Sequence, residues 1–283
     1  MAKKPPHPFV KWLGGKTKIL PQVTLRLPSK IKTYYEPMTG GGAVFIELAK
    51  QKKIERAVLN DMCPDLMAAW RSIKSNVNRL IKELKSGRYI YDRDIYLRIR
   101  EEDPNEMDDI KRAARFIYLN RTCFNAVYRV NKKAGKFNVP FGKYKDPLIC
   151  DEPNLRAVSE LLKIAILLEV DFEQALEEAL AQGTRGDAVY FDPPYIPISA
   201  TANFTAYTGG GFSFEDHQRI VKLMRKLGKR KVRAVVSNSS ADVSVELFSV
   251  FDMDLLTGTR SCGGAADSRK SVKEIIAFTG PRS

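Results

Sequence analysis

The sequence predicts an α/β fold built on a mostly parallel sheet, with an inserted helical and β-hairpin module. Three observations predict it. Short apolar strand patterns alternate with helical patterns along most of the 283 residues. Glycine-rich turns or single acids recur where those strands end. One basic, aromatic-rich stretch interrupts the alternation. Strands are expected around 32–36, 56–60, 164–170, 187–192, 232–238, 249–255 and 272–278. Residues 64–120 read mainly as helix, opened by Pro64, with the charged run Arg98 to Asp109 forming a helix end and a solvated turn. The expected division is a catalytic domain made of 1–63 and 151–283, interrupted by a recognition insertion at 64–150. Ligands of open α/β sheets bind outside the carboxyl ends of strands. Gly40, Asp61, Asp171 and Asp192 all fall at such ends.

The first strand runs into Glu36-Pro37-Met38-Thr39-Gly40-Gly41-Gly42 and then an amphipathic helix from Ala43. Three consecutive glycines permit positive φ and a close backbone approach to a ligand. The spacing is not the G-x-G-x-x-G dinucleotide fingerprint, so another adenosine-bearing ligand fits better than a nicotinamide cofactor. The next strand, Arg56 to Asn60, ends at Asp61, an acid placed to accept hydrogen bonds from two ribose hydroxyls.

The fourth expected strand, Ala188-Val189-Tyr190-Phe191, ends in Asp192-Pro193-Pro194-Tyr195. This tetrapeptide suits the alkylation of an exocyclic amine. The amino nitrogen of adenine or cytosine is conjugated with its ring and is a poor nucleophile. A carboxylate at Asp192 and the Pro193 carbonyl can each accept one N–H, which favours a pyramidal nitrogen with its lone pair exposed. Proline fixes the backbone direction at the point of contact. Tyr195 can stack on the base, a contact worth about 1–3 kcal/mol. Taken alone, Pro193-Pro194 also reads as a plain strand terminator with Asp192 capping the turn.

Formal net charge is +14, a large excess that favours a polyanionic partner. Between Arg121 and Lys145 stand Arg121, Arg129, Lys132, Lys133, Lys136, Lys143 and Lys145, with no acid, interleaved with Phe124, Tyr128, Phe137, Phe141 and Tyr144. Asn131 to Lys136 has hairpin character, Gly135 supplying the turn. A basic aromatic hairpin fits a DNA groove. Two histidines and four cysteines without a C-x-x-C pair argue against a zinc site and zinc-dependent deamination. No G-x-S-x-G is present. No signal-peptide or membrane-spanning pattern is seen, so a soluble, cytoplasmic, DNA-associated protein is expected, with neither metal nor obligatory protein partner.

These motifs, in this order, resemble the Dam-type DNA adenine-N6 methyltransferases, over almost the whole chain. The resemblance includes Phe9-Val10-Lys11-Trp12-Leu13-Gly14-Gly15-Lys16, the Glu36-Pro37 glycine turn, Asp61, Leu119-Asn120-Arg121, Phe137 to Gly142, Asp192 to Tyr195 and Asn203-Phe204-Thr205-Ala206-Tyr207. It implies a Rossmann-like class I methyltransferase sheet, S-adenosylmethionine as cofactor, and double-stranded DNA as partner, methylated at adenine N6 within GATC after base flipping. By the same resemblance Trp12 and Lys16 help hold the cofactor or the reacting base. Glu36, Pro37, Gly40, Gly41, Gly42 and Asp61 belong to the cofactor site, and Asp192 also lies near the cofactor's methionine end. Asp171 and Phe172 match the contact to the cofactor's adenine, although a strand end and a core phenylalanine account for that pair equally well.

For site reading the resemblance implies Lys11 and Arg129 on bases, Phe124 and Asn125 inserting at the target pair, and Tyr144 near the outer base, with Val127, Lys132 and Lys133 also on DNA. Ala126 stands where the family often has glycine, and Val127 replaces a larger aliphatic. Residues 196–213 are expected to order over the flipped base or the backbone, and 260–270 to form a second flexible loop. A cytosine-N4 or RNA methyltransferase, a catalytically inactive DNA-binding regulator and a nicotinamide oxidoreductase are the alternatives. The last leaves the basic hairpin and Asp192 to Tyr195 unexplained.

Overall fold

A computed structural model describes residues 4–131, 136–198, 211–259 and 271–280. The elements run α1 (Leu20–Arg26), β1 (Ile31–Glu36), α2 (Ala43–Lys50), β2 (Ile54–Asn60), α3 (Pro64–Leu84), α4 (Arg93–Glu101), α5 (Asp109–Thr122), β3 (Val130–Asn131), β4 (Lys136–Phe137), α6 (Glu152–Leu161), β5 (Ala165–Leu168), α7 (Glu177–Gln182), β6 (Ala188–Phe191), α8 (Phe214–Lys229), β7 (Arg233–Ser239), α9 (Asp242–Phe248), β8 (Asp252–Thr259) and β9 (Ser271–Phe278). The main sheet has the order β5-β2-β1-β6-β7-β9-β8. β1, β6 and β7 pair in parallel, with Tyr35 opposite Val189 and Phe191 opposite Val236. β9 is antiparallel to both β7 and β8. The fold is the mixed α/β architecture with a mostly parallel sheet that the alternation predicts.

Most strand bounds shift by one or more residues from those expected, and two of the shifts have evident local reasons. β5 stops at Leu168 because the Asn60 side chain takes both backbone groups of Val170, donating to its carbonyl at 2.9 Å and accepting its N–H at 2.9 Å. β8 starts at Asp252 because the turn closing α9 occupies the preceding residues, with Phe251 N–H on Phe248 O at 3.1 Å.

The chain forms two compact units. One contains 1–15, 39–52 and 59–171; the other contains 16–38, 53–58 and 172–283. In the first, Trp70 of α3 is fully buried, edge-on to Phe9 at 4.7 Å and to Phe45 at 6.5 Å. Pro64 opens α3 at a position whose N–H needs no intrahelical partner. Asp92 and Asp108 cap α4 and α5, each accepting backbone N–H bonds worth about 1 kcal/mol. Arg115 of α5 is buried and donates to the carbonyls of Ile99 and Arg100 at 2.9 and 2.8 Å, which satisfies the last turn of α4. β3 and β4 form the expected basic hairpin, Val130 opposite Phe137; its tip, with Lys132, Lys133 and Gly135, lies outside the described residues.

In the second unit β6 is buried at every position, the pattern of a strand covered on both faces. α8 packs through Ile220, Val221, Leu223, Met224 and Leu227 and is opened by a Ser213–Asp216 capping box. Most of the expected loop after Ile196, including Asn203 to Tyr207, and the loop 260–270 also lie outside the described residues.

Candidate active site and nucleic-acid interface

The first unit carries the glycine turn. Gly40 has φ +50 and Gly42 φ +66, in the left-handed region that side chains rarely adopt. A Cβ on Gly40 would lie 2.5 Å from Trp12 Cδ1, and one on Gly42 would lie 2.7 Å from Trp70 Cη2. The room made by these missing side chains is therefore filled by two tryptophans of the same unit. Thr39 fastens the turn to the end of β2, its N–H on Asn60 O at 2.8 Å and its hydroxyl accepting Asn60 N–H at 3.1 Å. Asp61 accepts the Gly40 N–H on Oδ2 at 2.9 Å and the Cys63 N–H on Oδ1 at 3.0 Å. Those two bonds fix the Asp61 carboxylate beside the glycine turn. Asn60 also fixes Val170, immediately before Asp171.

The second unit carries the tetrapeptide. Asp192 follows β6 directly; its Oδ1 lies 2.6 Å from Lys16 Nζ and 3.4 Å from Ser237 Oγ. Burial pushes the Asp192 carboxyl above the ordinary aspartate range, while Lys16 and Ser237 pull in the opposite direction. The Lys16 ammonium also lies 4.5 Å from the centre of the Tyr195 ring, and the Tyr195 hydroxyl donates to Glu274 Oε2 at 3.0 Å. The next residue is tied to β7, Ile196 N–H on Asn238 Oδ1 at 3.0 Å. His217 of α8, fully buried, places Nε2 3.1 Å from Pro194 O and Nδ1 2.9 Å from Ser213 O. The tetrapeptide is thus held from β9, β7 and α8. Glu36 is buried at the end of β1. Phe172 is buried beside Phe212, with the Arg219 guanidinium 4.2 Å from its ring centre.

Of the two residues expected to help hold the cofactor or the reacting base, Trp12 packs on the glycine turn and Lys16 pairs with Asp192. Trp12 also stacks on Tyr128 at 6.2 Å. Tyr128 in turn donates to Asp65, which pairs with Arg112 at 2.5 Å. Close by in sequence, Phe124 is 53% exposed. Asn125 and Ala126 both have positive φ, 54 and 53. The alanine therefore occupies a conformation that favours glycine. Lys11 donates its N–H to the Asn120 side chain at 3.0 Å, and its ammonium lies 5.8 Å from the Tyr144 ring. Tyr144 is anchored by its hydroxyl on Cys123 O at 2.9 Å. Arg129 is exposed and donates Nε–H to Asn138 Oδ1 at 3.0 Å. Val127 follows, half-buried, with its carbonyl 3.4 Å from Cys123 Sγ.

Residues 12–260 match the sequence profile of the D12 class N6 adenine-specific DNA methyltransferases. The chain belongs to this family. It is 40% identical to the Type II methyltransferase M1.LlaDCHI of Lactococcus lactis subsp. cremoris, covering 95% of this chain and 94% of that protein. It is 41% identical to the Type II methyltransferase M.MjaIII of Methanocaldococcus jannaschii, covering 93% and 95%, and 30% identical to the DNA adenine methylase of Escherichia coli, covering 96% and 95%. The enzyme is an adenine-specific DNA methyltransferase that uses S-adenosylmethionine. Asp61 fits that cofactor, as a carboxylate acceptor at a strand end beside a backbone turn backed by Trp12.

Several residues around the methyltransferase site carry weak sequence signals. Ser237, Asn238 and Ser239 interrupt an apolar strand run, and a polar triplet at the carboxyl end of a buried strand is the sign that could have marked them. Glu274 is an acid inside the apolar β9. His217 and Asn60 show no such pattern, because their roles depend on backbone groups distant in sequence.

Proposed function

We propose that this methyltransferase methylates N6 of adenine within GATC, acting on a base turned out of the duplex. The reading assigns catalysis to 1–63 and 151–283 and site recognition to 64–150. What carries it is the Asp192 carboxylate, kept in place by Lys16 and Ser237 beside a tyrosine ring that is itself anchored by Glu274. Asp192 accepts one N–H of the adenine amino group and the Pro193 carbonyl accepts the other, while Tyr195 stacks on the ring. Pro194, tethered to His217, keeps the turn rigid. An amino group inside the helix is out of reach, so the base must leave the stack.

Bound S-adenosylmethionine supplies the electrophilic methyl group. Gly40, Gly41, Gly42 and Asp61 would hold it, with Trp12 behind the turn, and Glu36, Pro37, Asp171 and Phe172 completing the site. Orientation of the amine carries most of the rate enhancement. Arg129 would grip guanine O6 and N7, worth about 1–3 kcal/mol of discrimination, and Lys11 would reach a second guanine. Phe124 and Asn125 would insert at the target pair, with Val127, Lys132, Lys133 and Tyr144 on flanking groups. The exposure of Phe124 and the strained backbone at Asn125 and Ala126 support that placement.

Transfer of labelled methyl from S-adenosylmethionine to duplexes containing one GATC tests the reading. Scrambled sites and N6-methylated GATC serve as controls. Label confined to adenine in the unmodified GATC duplex is expected. Equal labelling of scrambled duplexes would overturn the readout assigned to Arg129 and Lys11, and label on cytosine would overturn the assigned base.

A pH dependence follows from Asp192. Its acceptor role requires the ionised carboxylate, and burial raises its pKa. Activity is therefore expected to fall as pH drops through a value above the ordinary aspartate range of about 3.9. The pH profile of kcat/KM on a short duplex checks this, and a flat profile down to that range would contradict it.

A further inference from the structure

The second unit carries a row of cations at the end of the sheet opposite Asp192. Backbone bonds set the row: Ile31 N–H on Lys53 O at 2.7 Å, Lys32 N–H on Gly186 O at 2.7 Å, and Arg233 N–H on Asp187 O at 3.2 Å. These bonds bring together the amino ends of β2, β1, β6 and β7. The segments entering those strands bear Lys53, Lys30, Lys32, Arg185, Arg230 and Lys231, all exposed except the half-exposed Lys53. None of the six forms an ion pair among the described residues.

The acids nearby do not neutralise the row. Asp187 is buried and accepts the N–H groups of Thr33 and Thr184 at 3.0 and 2.8 Å. Glu178 pairs with Arg56. Glu55 and Asp252 remain, both exposed. Adjacent strands are about 4.8 Å apart, so four strand ends extend the row over about 15 Å. One DNA strand presents about four phosphates over that length, at about 3.4 Å each.

We propose that this rim is a second DNA-binding surface, holding the backbone of a duplex segment other than the one being methylated. Arg233 and Ser239 are the first and last of the seven residues of β7, and Ser239 accompanies the chain leaving Tyr195. At about 3.3 Å per residue the rim lies roughly 20 Å from the catalytic turn, on the opposite edge of the sheet. A duplex engaged by Asp192 and Tyr195 is therefore not the one that covers it. Linear, unpaired positive charge selects a polyanion over an apolar partner, and duplex DNA is the polyanion on which the family acts. The proposal depends on DNA as substrate class and not on the sequence read within it. Its consequence is transfer between DNA segments: the enzyme engages a second duplex before releasing the first.

The full chain and a short duplex, long enough for one protein only, are studied at low salt by sedimentation. Two duplexes per chain are expected, the second with a log–log salt slope of about −4 for the roughly four phosphates that the row spans. The variant K30Q/K32Q/R185Q/R230Q/K231Q should bind one, with unchanged methylation of the short duplex. In a second measurement, release of labelled duplex should quicken with competitor concentration for the native enzyme and not for the variant. Should the fivefold variant lose cooperative melting, R230Q/K231Q carries the test through a salt slope shallower by about 2. One duplex per chain for the native enzyme would overturn the proposal. So would a variant that still binds two, or polyglutamate displacing the second duplex at equal charge concentration, which would identify an acidic protein face as the partner.

Discussion

Asp192→Ala is expected to lower single-turnover methyl transfer by at least about 10²–10³-fold, the scale seen when one preorganised polar group is removed from a reacting centre. DNA affinity should change far less, because phosphate contacts dominate it and come from cations. The substitution leaves Lys16, only 6% exposed, without the carboxylate 2.6 Å away. Part of the loss is then structural, since removing a carboxylate from beside a buried ammonium is costly. Thermal melting and DNA titration of the same variant separate the two effects. Asp192→Asn keeps shape and one acceptor oxygen, and should retain more binding of the base than alanine does. Transfer by Asp192→Ala within about tenfold of the native rate would be incompatible with the role assigned to the carboxylate.

Gly42→Ala should destabilise the protein by about 2–5 kcal/mol. The left-handed backbone accounts for about 1–2 kcal/mol of this. Overpacking against Trp70 accounts for about 1–3 kcal/mol more, because the added Cβ would sit 2.7 Å from a ring that is fully buried between Phe9 and Phe45. Gly87 provides the comparison. It has φ +82 and no heavy atom within 4 Å of a built Cβ, so Gly87→Ala should show the backbone cost alone. Urea unfolding of both variants measures the difference. Equal losses would mean that Trp70 yields and that the wall behind the glycine turn is soft. If the turn also holds the cofactor, Gly42→Ala should raise the KM for S-adenosylmethionine while Gly87→Ala leaves it unchanged.

The strands and their polar ends were legible because β periodicity and turn chemistry are local. Ala188 to Phe191 reads as a buried strand from composition, and Asp192 marks its end without reference to any other segment. The hairpin at 130–137 was legible for the same reason, as charge and aromatic residues alternate around a turn. Lys16 was recognised as a site residue, but its pairing with Asp192 spans 176 positions and leaves no local trace. Glu274 and Ser237 were missed, since a polar residue in an apolar strand announces a partner without naming it.

Read alone, the chain establishes the alternating α/β architecture, the acids that follow β2 and β6, the basic aromatic hairpin and the family. All of these follow from short-range pattern, residue type and order along the chain. Only the tertiary structure decided which partners those residues meet: that Gly40 and Gly42 make room for Trp12 and Trp70, that Asp192 is held by Lys16 and Ser237, that His217 reaches Pro194, and that cations preceding four separate strands form one row. Those outcomes depend on strand order and on packing between segments far apart in the chain. Neither is encoded in the periodicity of any single segment.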